Sequence, residues 1–208
     1  MSPGPERRGR LIAFEGGEGC GKSTQAARLA ADLGAVLTRE PGGTEVGRRI
    51  RAIVLDAGLA GLDVRAEALL LLADRAQHVA EVVRPALERG ADVVTDRYSG
   101  STLAYQGWGR GLAVEELERL STWAAGGLEP DVVVLLDVDA GVAAGRLDAA
   151  PDRMELAGDD FHRQVGDGYR ALAAAAPDRW VVVDGSGTVD GVAARVRAAV
   201  DASLAVAG

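Results

Sequence analysis

The stretch "FEGGEGCGKST", residues 14–24, contains the only lysine among the chain's 23 lysine and arginine residues. Within it, Gly16 to Ser23 fit G-x-x-x-x-G-K-[ST], the phosphate-binding loop that joins a strand to a helix. Gly16, Gly17, Gly19 and Gly21 let successive backbone N–H groups turn inward toward phosphate oxygens. The helix that starts near Gly21 adds the positive end of its dipole. Lys22 is a compact charge on a flexible stem, better suited than a rigid guanidinium fork to follow a moving phosphoryl group. The hydroxyl of Ser23 is a ligand for Mg²⁺. A surface turn with a solvated lysine is the plainer reading, and the context opposes it. "RLIAF" (10–14) reads as a buried strand, and "KSTQAARLAADLG" (22–34) as a capped amphipathic helix.

Working outward, short apolar runs near 11–15, 35–38, 92–95, 132–136 and 180–183 read as strands. Between them, helical patterns fall near 21–33, 44–56, 66–89, 114–125, 140–147, 159–175 and 188–205. This alternation predicts an α/β domain: a five-stranded parallel sheet with helices on both faces. The expected layout is a disordered tail over 1–10 and a single domain over 11–208, with no repeat or internal linker. Ligands of such sheets bind beyond the carboxyl ends of the strands. Three of those ends carry arginine: "TREPGGT" (38–44), "DRYSGSTLAYQGWGRG" (96–111) and, past a helix, "GRLDAAPDRME" (145–155). Alone, each is as well explained by a strand-end salt bridge. Together, beside a phosphate loop, they predict a cationic bowl for a second phosphorylated molecule.

Composition narrows the class. A formal charge of −8 opposes a non-specific nucleic-acid binder, which needs a broad basic face. The single cysteine, Cys20, leaves no internal disulfide and no cysteine zinc site. No apolar run reaches membrane-spanning length, and "MSPGPERRGR" lacks the apolar core of a signal peptide, so a cytoplasmic protein is expected. The chain has no asparagine, which rules out the Asn-Lys-x-Asp guanine motif, and the Leu-Ser-Gly-Gly-Gln signature of transporter ATPases is absent. A phosphate acceptor, with a second pKa near ~6, needs positioning and charge neutralisation rather than a general base. His78 and His162 both lie in helical patterns and read as packing or surface residues.

The chain resembles the bacterial thymidylate kinase family, a branch of the P-loop nucleoside-monophosphate kinases. The resemblance runs from Leu11 to about Val200 and rests on "TREPGGT", "ADRAQH" (73–78), "DRYSGSTLAYQGWGRGL" and "PDRME" in order. It implies a P-loop kinase fold with a short lid over about 145–156. It implies transfer of the γ-phosphoryl group of ATP to dTMP, giving dTDP on the way to dTTP, with Mg²⁺ and as a homodimer. ATP would sit on Gly16, Gly17, Glu18, Gly19, Cys20, Gly21, Lys22, Ser23 and Thr24. Glu18 would also face the sugar 3′-hydroxyl of dTMP. Arg39 and Arg97 would hold the acceptor phosphate, with Glu40 and Arg51 supporting them, and Asp96 would join Ser23 at the metal. Arg75, Thr102 and Gln106 would read the thymine edge, and Tyr105 would pack beside the sugar.

Two positions depart from the family pattern. Leu71 stands where an aromatic ring usually stacks on the base, and Gly19 where some members carry a loop arginine. The missing charge is expected from the lid, from Arg153 first, because its neighbours Asp152 and Glu155 are retained, and from Arg146 second. A nucleoside-monophosphate kinase for another base is the nearest alternative. An ATP-switched partner-binding protein is a second one, although such proteins place a lysine early in the loop, where Phe14 and Glu15 stand here.

Overall fold

Leu11–Glu15 is buried at every residue, as a strand covered on both faces must be, and it forms the centre of the sheet as β1. The computed structural model describes residues 8–146 and 152–206. Alongside β1 lie β3 (Val93–Asp96) on one side and β4 (Val132–Asp137) on the other, with β2 (Val36–Arg39) and β5 (Trp180–Asp184) at the edges. The order is β2-β3-β1-β4-β5 and every pairing is parallel. The register aligns Phe14 with Asp96 and Asp96 with Arg39. The ends of three strands therefore deliver their polar residues to one edge.

Side chains alternate between two cores. Ile12, Phe14, Val94 and Val134 pack on one face with Leu29 of α1 (Lys22–Leu33) and Val196 of α9 (Val189–Val206). Leu11, Ala13, Val93 and Val133 pack on the other with Val79, Val83, Leu87 and Tyr98. The helices end where the sequence supplies caps. Gly34, at φ +62°, closes α1 with its N–H on Ala30 and Ala31. Thr44 accepts from the Gly47 N–H to open α2 (Glu45–Val54), and Asp63 accepts from the Arg65 N–H to open α3 (Val64–His78). The pattern predicted near 66–89 is α3, a wider turn over Val79–Val83 and α4 (Arg84–Glu88).

The sequence pattern did not reveal one helical stretch. Ser99–Thr102 forms α5 and continues as wide turns over Leu103–Gly109. Three glycines in these eleven positions hide it from propensity. At least one glycine is there for close approach. A Cβ on Gly100 would lie 2.7 Å from the Trp180 ring and 2.9 Å from Glu15 Oε1. Beyond it lie α6 (Val114–Ala124), α7 (Ala140–Ala144) and α8 (Asp159–Ala175). A third apolar cluster joins Tyr105, Met154, Phe161 and Tyr169 beneath the site.

At the start of the chain, residues 1–7 of the expected tail lie outside the described residues. Gly9 and Arg10 belong to the folded domain: the Gly9 N–H donates to Leu87 and Arg10 pairs with Asp92 at 2.7 Å. Positions 147–151 of the expected lid also lie outside the described residues.

Candidate active site

The phosphate loop is shaped by backbone that only glycine adopts without strain, with φ of +141° at Gly16 and +96° at Gly21. Lys22 is buried, and its Nζ donates to the Gly17 carbonyl at 2.6 Å, with Cys20 Sγ at 3.5 Å. At the helix start, Ser23 Oγ donates to Asp96 Oδ2 at 2.5 Å, while the buried Asp96 Oδ1 has no partner among the described residues. One hydroxyl and one carboxylate with a spare oxygen fit Mg²⁺, which keeps several waters and takes the rest of its shell from phosphates. No cluster of three or more metal-ligating side chains occurs among the described residues. A side chain at Gly19 would run into the Ala143 carbonyl of α7. The loop thus has no room for an arginine of its own.

Arg97 adopts φ +74°, a conformation costly for a side-chain-bearing residue. From there its guanidinium reaches Glu18 at 2.6 Å, the Gly16 carbonyl at 3.0 Å, Tyr169 Oη at 3.1 Å, and Ser101 and Tyr105 hydroxyls at 3.2 Å. Burial opposes both charges of the Arg97–Glu18 pair, yet their attraction wins. The Glu18 carboxyl is held down to about 2, by Arg97, then Lys22 and the Tyr105 hydroxyl, and Arg97 is raised well above its ordinary value. Arg39 and Arg51 differ. Arg39 has no hydrogen-bond or ion-pair partner among the described residues, and Arg51 donates only to the Pro41 carbonyl, at 3.2 Å. Burial and then Arg39 push the Arg51 pKa down. Two neighbouring cations without a carboxylate in contact are a site for an anion.

On the far side of Glu18 a second cleft opens, lined by Leu71, Arg75, Thr102, Tyr105, Gln106 and Met154 among others. It adjoins the phosphate-loop cleft, and the two share Glu18, Glu40, Arg51 and Arg97. Its polar groups are locked in place. Arg75 donates to Glu40 at 2.9 Å, Thr102 at 3.1 Å and Ser121 at 3.3 Å, and lies 5.2 Å from the Tyr98 ring centroid. Glu40 is in turn 2.8 Å from His78 Nδ1, whose Nε2 meets Thr38 Oγ1 at 2.6 Å. His78 is therefore the packing residue the helical pattern suggests. Leu71 is half-buried on the cleft wall. Gln106 Nε2 donates to Glu67 Oε1 at 2.7 Å.

The two lid arginines fall in different places. Arg146 lines the phosphate-loop cleft, with both Nη atoms 3.4 Å from the Gly185 carbonyl. Arg153 is buried away from the loop. Its Nε donates to the Val54 carbonyl at 2.8 Å, and its Nη2 pairs with Glu67 Oε2 at 2.6 Å. The expectation that put Arg153 ahead of Arg146 at the phosphates is at odds with this placement: an arginine spent on a buried carboxylate is not available at the loop.

Three residues at the site were missed by sequence reasoning. Glu15 is fully buried and accepts from the Tyr98 and Ser101 N–H groups at 3.0 Å and from Ser101 Oγ at 2.5 Å, with Tyr169 Oη at 3.2 Å. Burial raises its pKa even against those bonds. It fixes the turn that presents Arg97. Tyr169 arrives from α8, far along the chain, and Glu67 from α3. For Glu15, the one clue was an acidic residue ending an apolar strand.

A parallel sheet carrying this loop after its central strand is the P-loop kinase fold, and the paired clefts give it room for two ligands. Residues 14–196 match the family described as thymidylate kinase. The chain is 51% identical over 209 residues to the thymidylate kinase of Leifsonia xyli subsp. xyli, covering 97% of this chain and 99% of that one. It is 50% identical over 196 residues to the thymidylate kinase of Bifidobacterium longum strain NCC 2705, covering 90% and 95%. The crystal structure of thymidylate kinase from Ehrlichia chaffeensis superposes with a TM-score of 0.78 at 29% identity, covering 92% and 98% of the two chains. The chain belongs to the thymidylate kinase family.

Proposed function

We propose that the chain transfers the γ-phosphoryl group of ATP to dTMP, giving ADP and dTDP. The observation that carries this is the junction of two clefts at Glu18 and Arg97, one ending in a phosphate loop and the other in a locked set of base-reading groups. ATP phosphates lie along Gly16–Thr24, with Lys22 leaving the Gly17 carbonyl for a phosphate oxygen. Ser23 and Asp96 would hold Mg²⁺, which would supply charge neutralisation at the phosphates. Arg39 and Arg51 take the acceptor phosphate, since they have no carboxylate partner of their own. Glu18, held ionised by Arg97, accepts from the sugar hydroxyl, and Tyr105 packs beside the sugar. Arg75, Thr102 and Gln106 read the base. Arg146 supplies the charge that the loop lacks at Gly19, and Arg153 holds the base end through Glu67.

We assign the working form as a cytoplasmic homodimer. No helix among the described residues is long and apolar enough to cross a membrane. Leu69 and Trp123 leave apolar surface uncovered, at 61% and 80% exposure. Sedimentation should give twice the chain mass. The decisive assay couples ADP release to each of dTMP, dUMP, UMP, CMP, AMP and GMP. dTMP should be preferred, and ATP hydrolysis indifferent to every acceptor would overturn the reading.

A further inference from the structure

Gln106 has an amide, and an amide can present either its oxygen or its NH₂ to a ligand. Which one it presents decides whether the base must bring a donor or an acceptor. In this structure the choice is made by a residue outside the cleft wall. Glu67, fully buried, takes Gln106 Nε2 on Oε1 at 2.7 Å. Gln106 is itself 1% exposed and lines the cleft, and its Oε1 is buried with no partner among the described residues. A buried acceptor left unpaired is costly, so a ligand that supplies a donor there gains affinity. On the same cleft Arg75 offers only donors, because a guanidinium has no acceptor. A donor next to an acceptor complements a carbonyl next to an N–H, the 4-oxo, N3–H edge of thymine. It opposes the 4-amino, unprotonated N3 edge of cytosine.

We infer that Glu67 is a positioning residue for base selection: it fixes the Gln106 amide oxygen toward the base and thereby selects an imide edge. This rests on the proposed dTMP kinase activity. The other Glu67 oxygen makes the arrangement one-way. Oε2 forms an ion pair with Arg153 Nη2 at 2.6 Å that lacks hydrogen-bond alignment, and Arg153 is only 8% exposed and anchored by its Nε on the Val54 carbonyl. Arg110, the third contact, is the longest at 3.4 Å, and its guanidinium is held independently over the Phe161 ring at 4.4 Å. In Glu67→Gln there is one oxygen for the two close donors. Arg153 can only donate and cannot leave, so it keeps the oxygen. The new NH₂ then faces Gln106, which must turn its own oxygen inward and present NH₂ to the base.

The test measures kcat/KM and calorimetric Kd for dTMP and dCMP in the wild-type chain, E67Q and the double variant E67Q/R153M. E67Q should lower the dTMP:dCMP ratio about tenfold or more, with dCMP unchanged or improved. In the double variant the amide oxygen introduced at position 67 is free to return to Gln106, and most of the ratio should recover. A parallel fall for both nucleotides in E67Q, or a double variant no more selective than E67Q, would overturn the inference. Should E67Q fail to fold, E67M/R153M, which buries no unpaired charge and offers Gln106 no acceptor at position 67, decides: a dTMP:dCMP ratio about tenfold lower than wild type supports the inference and a ratio within about threefold of wild type overturns it. A wild-type chain that does not prefer dTMP over dCMP would instead sink the activity on which the inference rests.

Discussion

At the phosphate end of the paired clefts, cations stand without carboxylates. At the base end, on the other side of Glu18, the cations are tied down. Arg39 has no partner among the described residues, Arg51 has one carbonyl, and Arg146 has one carbonyl at 3.4 Å. Arg75 and Arg153, by contrast, each meet a buried carboxylate at 2.9 and 2.6 Å. The difference follows from what each end must do. Phosphate arrives with its own charge, so leaving guanidinium groups unpaired keeps them available. A base arrives neutral, and its hydrogen-bonding edge can be told apart only by groups whose orientation is already fixed. Arg97 and Glu18 lie between the two, fully paired with each other yet facing both clefts.

The comparison breaks most visibly at the lid. If unpaired arginines are the ones that meet phosphate, Arg146→Ala should lower kcat on the order of 10³-fold with both KM values nearly unchanged. Single-turnover kinetics check this. Normal turnover in Arg146→Ala, with the loss appearing in Arg153→Ala instead, would reverse the assignment.

Arg153 should respond in stability instead. Its removal leaves the fully buried Glu67 with only Gln106 at 2.7 Å and the longer Arg110 contact at 3.4 Å, and breaking one partner of a buried pair costs about 3 kcal/mol. For a chain of this length that lowers Tm by roughly 10 °C. Calorimetry of Arg153→Ala measures it, and a Tm within about 2 °C of wild type would mean that Glu67 does not depend on the pair.

Much of this contrast was not legible in the sequence. The phosphate loop, the five strands and the three arginine-bearing strand ends were, because each is a local pattern with a fixed offset from a strand. The pairing of Arg153 with Glu67 was not. It joins residues 86 positions apart (153 − 67) across a turn near the lid, and neither residue has a motif that names the other. The helix over Ser99–Gly109 was hidden by its glycines, one of them needed for close approach at Trp180 and Glu15. The cluster of Glu15, Ser101 and Tyr169 was hidden for the same reason as Glu67: burial, not spacing, selects its members.

One carboxylate tests how settled the base end is. Asp74, next to Arg75, accepts from the Gly42 N–H at 3.0 Å, but its Oδ2 is buried without a partner among the described residues. Burial, and then the Glu40 charge, raise its pKa to about 6. A carboxyl raised from about 3.9 favours the folded state most below pH ~4 and loses that contribution as pH climbs through 6. Asp74→Asn, neutral throughout, should therefore match wild type at about pH 4 and exceed it by about 2 kcal/mol at about pH 8. Urea melts of the two proteins at both pH values give the difference. A gap that does not change with pH would show that Asp74 ionises freely in the folded chain.

The smallest effect sharpens the comparison from inside the base cleft. Leu71 lines the base cleft, and a leucine there contributes area but no ring to stack on the base. Aromatic contacts add roughly 0.5–1.5 kcal/mol beyond the area they bury. Overpacking a filled core costs about 1–3 kcal/mol, which would cancel the gain. Exposure decides between these: Leu71 is only half-buried and lies on the wall of the open cleft, so added atoms extend into the cleft and not into packed neighbours. Leu71→Phe should therefore tighten dTMP by up to about tenfold, with the preference for dTMP over dCMP unchanged, because Gln106 and Arg75 set that preference and Leu71 does not touch it. Titration calorimetry with both nucleotides checks the two halves separately. Unchanged affinity would mean that another side chain already covers the base, and a shift in the dTMP:dCMP ratio would mean that selection at this end depends on packing as well as on the fixed hydrogen bonds.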